Sequence, residues 1–139
     1  MPSWPSFSRR AEAAEAGYSF AFLRASVRVA TDVHYVENRR RAREAGLLTG
    51  SYHYPYPEPA PEEQALAFYQ ALTAGQGFSD ELPPVLDVEQ DGLWEVRVRG
   101  FLEAFAKLWE RTVMIYTSRS KWHKLVGRNR AWAAAHPLW

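Results

Sequence analysis

The sequence predicts an α/β fold, either an open parallel sheet or an incomplete or reduced TIM-like β/α barrel. Three observations lead there. Strand-like and helix-like segments alternate at least four times, the order that right-handed β-α-β crossovers produce. The 139 residues make one domain, 1–139, with room for a real core, but fall short of the about 250 that a complete eight-fold barrel takes. Nearly half the residues (47%) are hydrophobic and aromatics are plentiful, which speaks for a packed interior rather than disorder.

Taken in order, Ser8 caps a short Ala/Glu helix over Arg9 to Ala16 that stops at Gly17. Tyr18 to Ala25 reads as a buried strand and Ser26 to Thr31 as a loop. Thr31 or Asp32 then N-caps a helix reaching Ala45, with Gly46 as its stop. Leu47 to Tyr54 is the second strand. Pro55, Pro57, Pro59 and Pro61 make a stiff connection that helix interiors exclude. Pro61-Glu62-Glu63 starts the next helix, whose core stripe is Ala65, Phe68, Tyr69 and Leu72, ending at Gly75. After a loop to Leu82 comes the strand Val85-Leu86-Asp87-Val88-Glu89. Leu93 to Arg111 is the clearest helix, with Val98, Phe101, Leu102, Phe105, Leu108 and Trp109 at helical spacing. Thr112 to Thr117 is a further strand. Ser118 or Ser120 caps a short helix carrying Trp122, Leu125 and Val126 to Gly127, and a last turn spans Arg130 to Ala135.

Composition removes several function classes. There is no cysteine, so disulfides and thiolate chemistry are excluded. A net charge of +1 exerts no general pull towards nucleic acid or membrane. The Arg39-Arg40-Arg41-Ala42-Arg43 cluster reads as a solvated helix face or, more sharply, as a surface for a polyanion. No stretch approaches the roughly 18 apolar residues of a membrane span. The first ten residues lack an apolar core and do not read as a secretory signal, so export would need another route, such as lysis of the producing cell. Gly-rich phosphate loops, G-x-S-x-G elbows and zinc-finger spacings are missing from the sequence.

In either architecture ligands sit at the carboxyl ends of the strands, where Ser26, Tyr54, Glu89 and Thr117 fall. Side chains alternate along a strand, so Asp87 and Glu89 face one way and Leu86 and Val88 the other. Two acids on one face are costly unless they serve a purpose. Glycosidic bond cleavage is one: a carboxyl kept protonated by a neighbouring charge donates to the leaving oxygen. Same-face neighbours lie about 6.5–7 Å apart at Cα, which separates neither a retaining from an inverting arrangement. The structural alternative pairs Asp87 with an arginine such as Arg24 and leaves Glu89 to cap the following loop. A metal site of His53, Asp87 and Glu89 is a further alternative, weakened because His34, His123 and His136 fall at no ligand spacing. Tyr52, Tyr54, Tyr56, Trp94, Tyr116 and Trp122 supply aromatic rings near the strand ends, suited to stacking on sugars.

Several segments, in order, resemble glycoside hydrolase family 25, the lysozymes of the bacterial and phage muramidase type. Phe22-Leu23-Arg24-Ala25-Ser26 is similar to a strand usually written with Lys-Ala-Thr, and Asp32, Tyr35, Asn38, Ala42 and Ala45-Gly46-Leu47 resemble the helix after it. Gly50-Ser51-Tyr52-His53-Tyr54 is similar to a Gly-x-Tyr-His-aromatic strand, and Leu82 to Glu89 resembles the acidic strand almost letter for letter. Ile115-Tyr116-Thr117 with Trp122, and Pro137-Leu138-Trp139, resemble later landmarks. The resemblance implies a flattened β/α barrel that hydrolyses the β-1,4 bond between N-acetylmuramic acid and N-acetylglucosamine in bacterial peptidoglycan, without a cofactor. It implies Glu89 as general acid, Asp87 tuning it and steadying the substrate, and Tyr52 and Tyr116 lining the groove; Tyr54 and Trp94 join them as substrate-binding candidates. The chain departs from the pattern in three places. Ser26-Val27-Arg28 replaces the usual Thr-Glu-Gly, Met1-Pro2-Ser3-Trp4 replaces an Asp-Val-Ser strand, and strands beyond the Leu-Trp landmark, with their aspartate, are lacking. The expectation is a domain without the family's C-terminal strands: a fragment, a chain completed by another copy or a partner chain, or a decayed domain. It would act on the cell wall from the cytoplasm of a lysing cell or from a virion. A non-catalytic wall-binding or virion structural module of the same fold is the other function this pattern allows.

Overall fold

The computed structural model describes residues 16–17, 19–74, 80–127 and 130–139. The expected helix over Arg9 to Ala16 falls almost wholly outside them. The elements are β1 (Phe20–Val27), β2 (Ala30–Thr31), α1 (Tyr35–Glu44), β3 (Leu48–Tyr54), α2 (Pro61–Thr73), β4 (Val85–Val88), α3 (Glu95–Leu108), β5 (Met114–Thr117) and α4 (Arg119–Val126), then a 3-10 turn at Ala133–Ala135. The sheet order is β2-β1-β3-β4-β5, with β1, β3, β4 and β5 mutually parallel and the two-residue β2 antiparallel at one edge. Beyond β5, residues 137–139 add a further parallel rung: Ile115 N donates to Pro137 O (2.8 Å) and Trp139 N to Ile115 O (2.8 Å). The sheet is open, as an incomplete barrel requires.

Strand alternation gives the sheet two unlike faces. Ala21, Leu23, Leu86, Val88 and Ile115 project into the helices, meeting Phe68 of α2 and Phe101 and Phe105 of α3 in the main core. Phe22, Tyr52 and Val85, with Met114 and Tyr116 beside them, form a smaller cluster on the other face, the one a closed barrel would turn inward. Gly50 belongs to that face, where a Cβ would run into the Phe22 ring.

Three local outcomes differ from the sequence reading. The stretch expected as a loop from Ser26 to Thr31 is a tight hairpin: β1 runs on to Val27, pairs with Ala30, and turns through Arg28 and Val29. A register shift between Arg24 and Ser26 lets Ala25 and Ser26 both turn towards the helices, the work of a bulge. Asp32 is not the N-cap of α1, which starts at Tyr35; its carboxylate instead accepts the backbone N–H of His34 (2.9 Å). Ser118 does cap α4, accepting from Lys121 N (3.2 Å), and Gly127 ends it at φ 51°.

The arginine cluster of α1 is matched locally. Arg40 and Arg41 pair with Glu37, Arg40 also with Glu44, and Arg43 with Glu81. Arg39 is buried and reaches Asp80 (3.0 Å) and the carbonyl of Leu72 (3.4 Å). Its neighbours consume the charge, so the cluster is a compensated helix face rather than a polyanion surface. Asp80 also accepts from Thr49 Oγ1 (2.7 Å) and Ser51 Oγ (2.6 Å), tying the amino ends of the strands together.

Candidate active site

The short apolar strand β4 delivers the acids. Its backbone pairs Asp87 with Tyr116 and Val88 with Thr117, while Leu86 and Val88 are held in the main core. Asp87 therefore points to the inner face, where it is 1% exposed, and Glu89, one residue past the strand, is half-buried on the same side. The two carboxyls are hydrogen-bonded to each other. Burial, then the bond to Glu89 and its charge, push Asp87 up to about 8. Burial works to raise Glu89, while the hydrogen bond from Asp87 and, as a smaller contribution, the positive charge of Lys121 lower it; Glu89 lies below the usual carboxylate range. The pair thus keeps one proton near neutral pH, on the deeper member.

Tyrosines surround the pair. Tyr52, nearly buried on β3, has its phenol pushed up to about 12, chiefly by burial, with the charges of Asp87 and Glu89 adding to the shift. Tyr54 and Tyr116 are raised for the same reasons in the same order of burial first, then the two carboxyls. Tyr54 donates to Gln90 Oε1 (3.5 Å) and its ring lies 5.6 Å from that of Tyr56. The Tyr116 ring meets Trp139 edge-on at 5.3 Å, and Phe22 packs on the other side of Trp139 at 4.9 Å. Asp87, Glu89, Tyr52, Tyr54 and Tyr116 therefore share one face of the sheet at its carboxyl end.

Other candidates fall elsewhere. Trp94 is 62% exposed and lines a different recess of about 250 Å³ with Gly92, Lys121 and Lys124. Trp122 packs against the main core and Trp132, so it is a structural ring. Arg24 pairs with Asp32 (2.8 Å), not with Asp87, because the helix-start turn brings Asp32 back over β1.

The metal reading fails on geometry. His53 points to the helix side of β3, stacked on Phe101 at 5.1 Å, one strand face away from Asp87. There it is a satisfied core histidine. Gln64 donates its amide to the carbonyls of Tyr56 (2.9 Å) and Pro59 (2.7 Å), so its oxygen is left to accept from His53 Nε2 (3.0 Å). His53 Nδ1 then accepts from the Ser26 hydroxyl (2.7 Å). Burial holds this imidazole down to about 4, so it is neutral at any ordinary pH. Gln64 and Asp80 are the polar residues the sequence reading missed. A lone Gln in a first helical turn, or an Asp in a loop, carries no periodic signal.

An open β/α sheet with a carboxyl pair at the carboxyl end of a central strand, walled by tyrosines, defines a β/α-barrel protein of the glycoside hydrolase class. The model of the family described as glycosyl hydrolases family 25 matches residues 3–139, and the chain belongs to that family. It is 32% identical over 138 residues to lysozyme M1 of Streptomyces globisporus, covering 89% of this chain and 47% of that protein. Among solved structures it is similar to the bacterial lysozyme of Streptomyces coelicolor (TM-score 0.76, 29% identity, 94% of this chain and 66% of that one). It is also similar to the muramidase of Trichobolus zukalii (TM-score 0.77, 26% identity, 93% and 68%). The chain spans about half the length of the curated relatives it matches.

Proposed function

We propose that this chain carries the acid-delivering site of a peptidoglycan muramidase, which cleaves the β-1,4 bond between N-acetylmuramic acid and N-acetylglucosamine. The observation that carries the reading is the hydrogen-bonded Asp87–Glu89 pair. The pair is close enough to share a proton, so the two acids are not an acid and a nucleophile set on opposite sides of the scissile bond. The two acids therefore act as one proton-sharing unit, and the nucleophile comes from outside them.

The substrate's own N-acetyl group meets that need. A sugar covering Glu89 removes it from water and raises its proton affinity, so the proton moves from Asp87 to Glu89. Glu89 gives the proton to the leaving glycosidic oxygen as that C–O bond breaks. Asp87, now ionised, accepts a hydrogen bond from the acetamido N–H and aligns its carbonyl oxygen, which bonds to the anomeric carbon. Water then attacks that carbon, losing its proton to Glu89, and the acetamide is restored. Tyr52 and Tyr116 wall the groove in which the sugars lie. Family membership and the lysozyme and muramidase names of the relatives support this substrate class.

The test is release of new reducing ends from purified peptidoglycan, beside a measurement of mass in solution. Release by the parent and none by Glu89→Gln is expected; equal release by both would remove Glu89 from its role. The mass reads whether a second copy joins at the open sheet edge.

A further inference from the structure

Arg28 occupies a costly position. It is the first residue of the two-residue turn between β1 and β2 and has φ 53°, the sole positive φ outside glycine among the described residues. Two-residue hairpins with a positive φ there favour glycine, since a side chain meets its own backbone. A residue held in such a conformation at the rim of a site directs attention to what its side chain does.

The side chain is held over an aromatic ring. The Arg28 guanidinium carbon lies 4.1 Å from the centroid of Tyr56. Among the described residues no carboxylate forms an ion pair with it, whereas Arg24 is taken by Asp32 and Arg97 by Glu58 (2.9 Å). Arg28, Tyr56, Pro57, Glu58 and Pro59 line an open recess of about 570 Å³. Glu58 is the acid of that recess and is engaged by Arg97, leaving the Arg28 charge unmatched. A ledge of two tyrosines, Tyr54 and Tyr56, runs from the recess towards the acid pair. Arg28 N donates to Tyr54 O (3.3 Å), the Tyr54 ring contacts Tyr56, and the Tyr54 phenol lies within the field of Asp87 and Glu89.

We propose that Arg28, seated on Tyr56 at the far end of this tyrosine ledge, recognises a carboxylate on the substrate. A guanidinium stacked by one face on a ring keeps its N–H edges turned outward, in the fork that fits a carboxylate. This rests on the reading of the groove as a peptidoglycan site. Muramic acid carries a lactyl carboxyl that is either free or extended by a peptide with its own carboxylates, whereas plain N-acetylglucosamine chains carry neither. Arg28 is then a specificity residue, selecting the substituted glycan.

The experiment measures equilibrium binding by the full chain bearing Glu89→Gln, so that turnover does not intervene. Three polymers are compared: intact peptidoglycan, peptidoglycan stripped of its peptides by an amidase, and chitin. Adding Arg28→Gly is expected to weaken binding to peptidoglycan about tenfold, the scale of one charge-assisted hydrogen bond. Arg28→Lys should keep part of the affinity, and chitin binding should not change. A loss confined to the intact polymer assigns the carboxylate to the peptide; a loss on the stripped polymer as well shows that Arg28 also takes the lactyl carboxyl, which the peptide amide masks until the amidase frees it. The melting temperature of the Arg28→Gly protein should not fall, because glycine suits the turn. If the parent binds peptidoglycan and Arg28→Gly matches it, or loses affinity for chitin equally, this inference is overturned alone. If the parent binds no peptidoglycan, the substrate reading falls and takes this inference with it.

Discussion

Asp80 and Asp87 flank the same strand, one before its amino end and one at its carboxyl end, and the fold treats them in opposite ways. Asp80 sits among donors: Arg39 at 3.0 Å, Thr49 at 2.7 Å and Ser51 at 2.6 Å, with Tyr35 hydrogen-bonded to Ser51 behind them (2.6 Å). Its charge is neutralised and its oxygens are filled, which is how a buried acid becomes architecture. Asp87, buried more deeply, is set against a second carboxyl and answers by keeping a proton. The contrast follows the barrel rule that stability resides at the amino ends of the strands and chemistry at the carboxyl ends. A buried acid beside a cation holds elements together; a buried acid beside an acid stores a proton.

The comparison can be broken most severely at the pair itself. Glu89→Gln is expected to lower reducing-end release by about a thousandfold, within the range for a general acid, with the melting temperature within a degree or so of the parent. A large loss of stability in that variant would make Glu89 architecture as well. At the other end, Asp80→Ala removes the carboxylate that Arg39, Thr49 and Ser51 share and should cost about 3–5 kcal/mol in urea unfolding. A cost under about 1 kcal/mol would show that the amino-end network is ornamental.

The pH dependence sharpens the contrast. Asp87 holds its proton in the folded state up to about 8, whereas an unfolded chain gives it up near the ordinary 3.8. Between those values the native state binds more protons, so this group lowers stability as pH rises, by about 1.4 kcal/mol for each pKa unit separating the two states. His53 acts in the opposite sense. Its folded value of about 4 lies below the ordinary 6.5, so its contribution is present above 6.5 and is lost as pH falls towards 4. The two offset each other between 4 and 6.5, and the Asp87 slope stands alone from about 6.5 to 8. Melting curves across that upper window should fall for the parent and stay flat for Asp87→Asn; parallel slopes would dismiss the shared proton. The smallest effect is expected at the turn, where Arg28→Gly should stabilise by about 0.5 kcal/mol, strain relief exceeding the lost stacking on Tyr56. A measurable destabilisation would show that the stacking dominates.

Local patterns carried the elements well. Ser118 before a short amphipathic run, Pro61 followed by two glutamates, and the Phe101, Leu102 and Phe105 stripe each describe a segment's own backbone and its buried side. The hairpin at Arg28 and the bulge beside Ala25 escaped, because neither contains the glycine or Asn-Gly that usually marks such a turn. The bulge matters to the site, since it turns Ser26 to His53 and leaves Arg24 on the inner face with Tyr52.

By itself the sequence determined the alternation of strands and helices, and the shared face of Asp87 and Glu89. Both are consequences of side-chain period along one short segment, which is local information. Only the tertiary structure decided which acid holds the proton, because depth below the surface is set by β3, β5 and the tyrosines they bring, not by β4. It likewise decided that Asp80 is a hub and that Arg28 lies over Tyr56. Those contacts join residues far apart in the chain, and their energies exist only once the sheet has closed the distance.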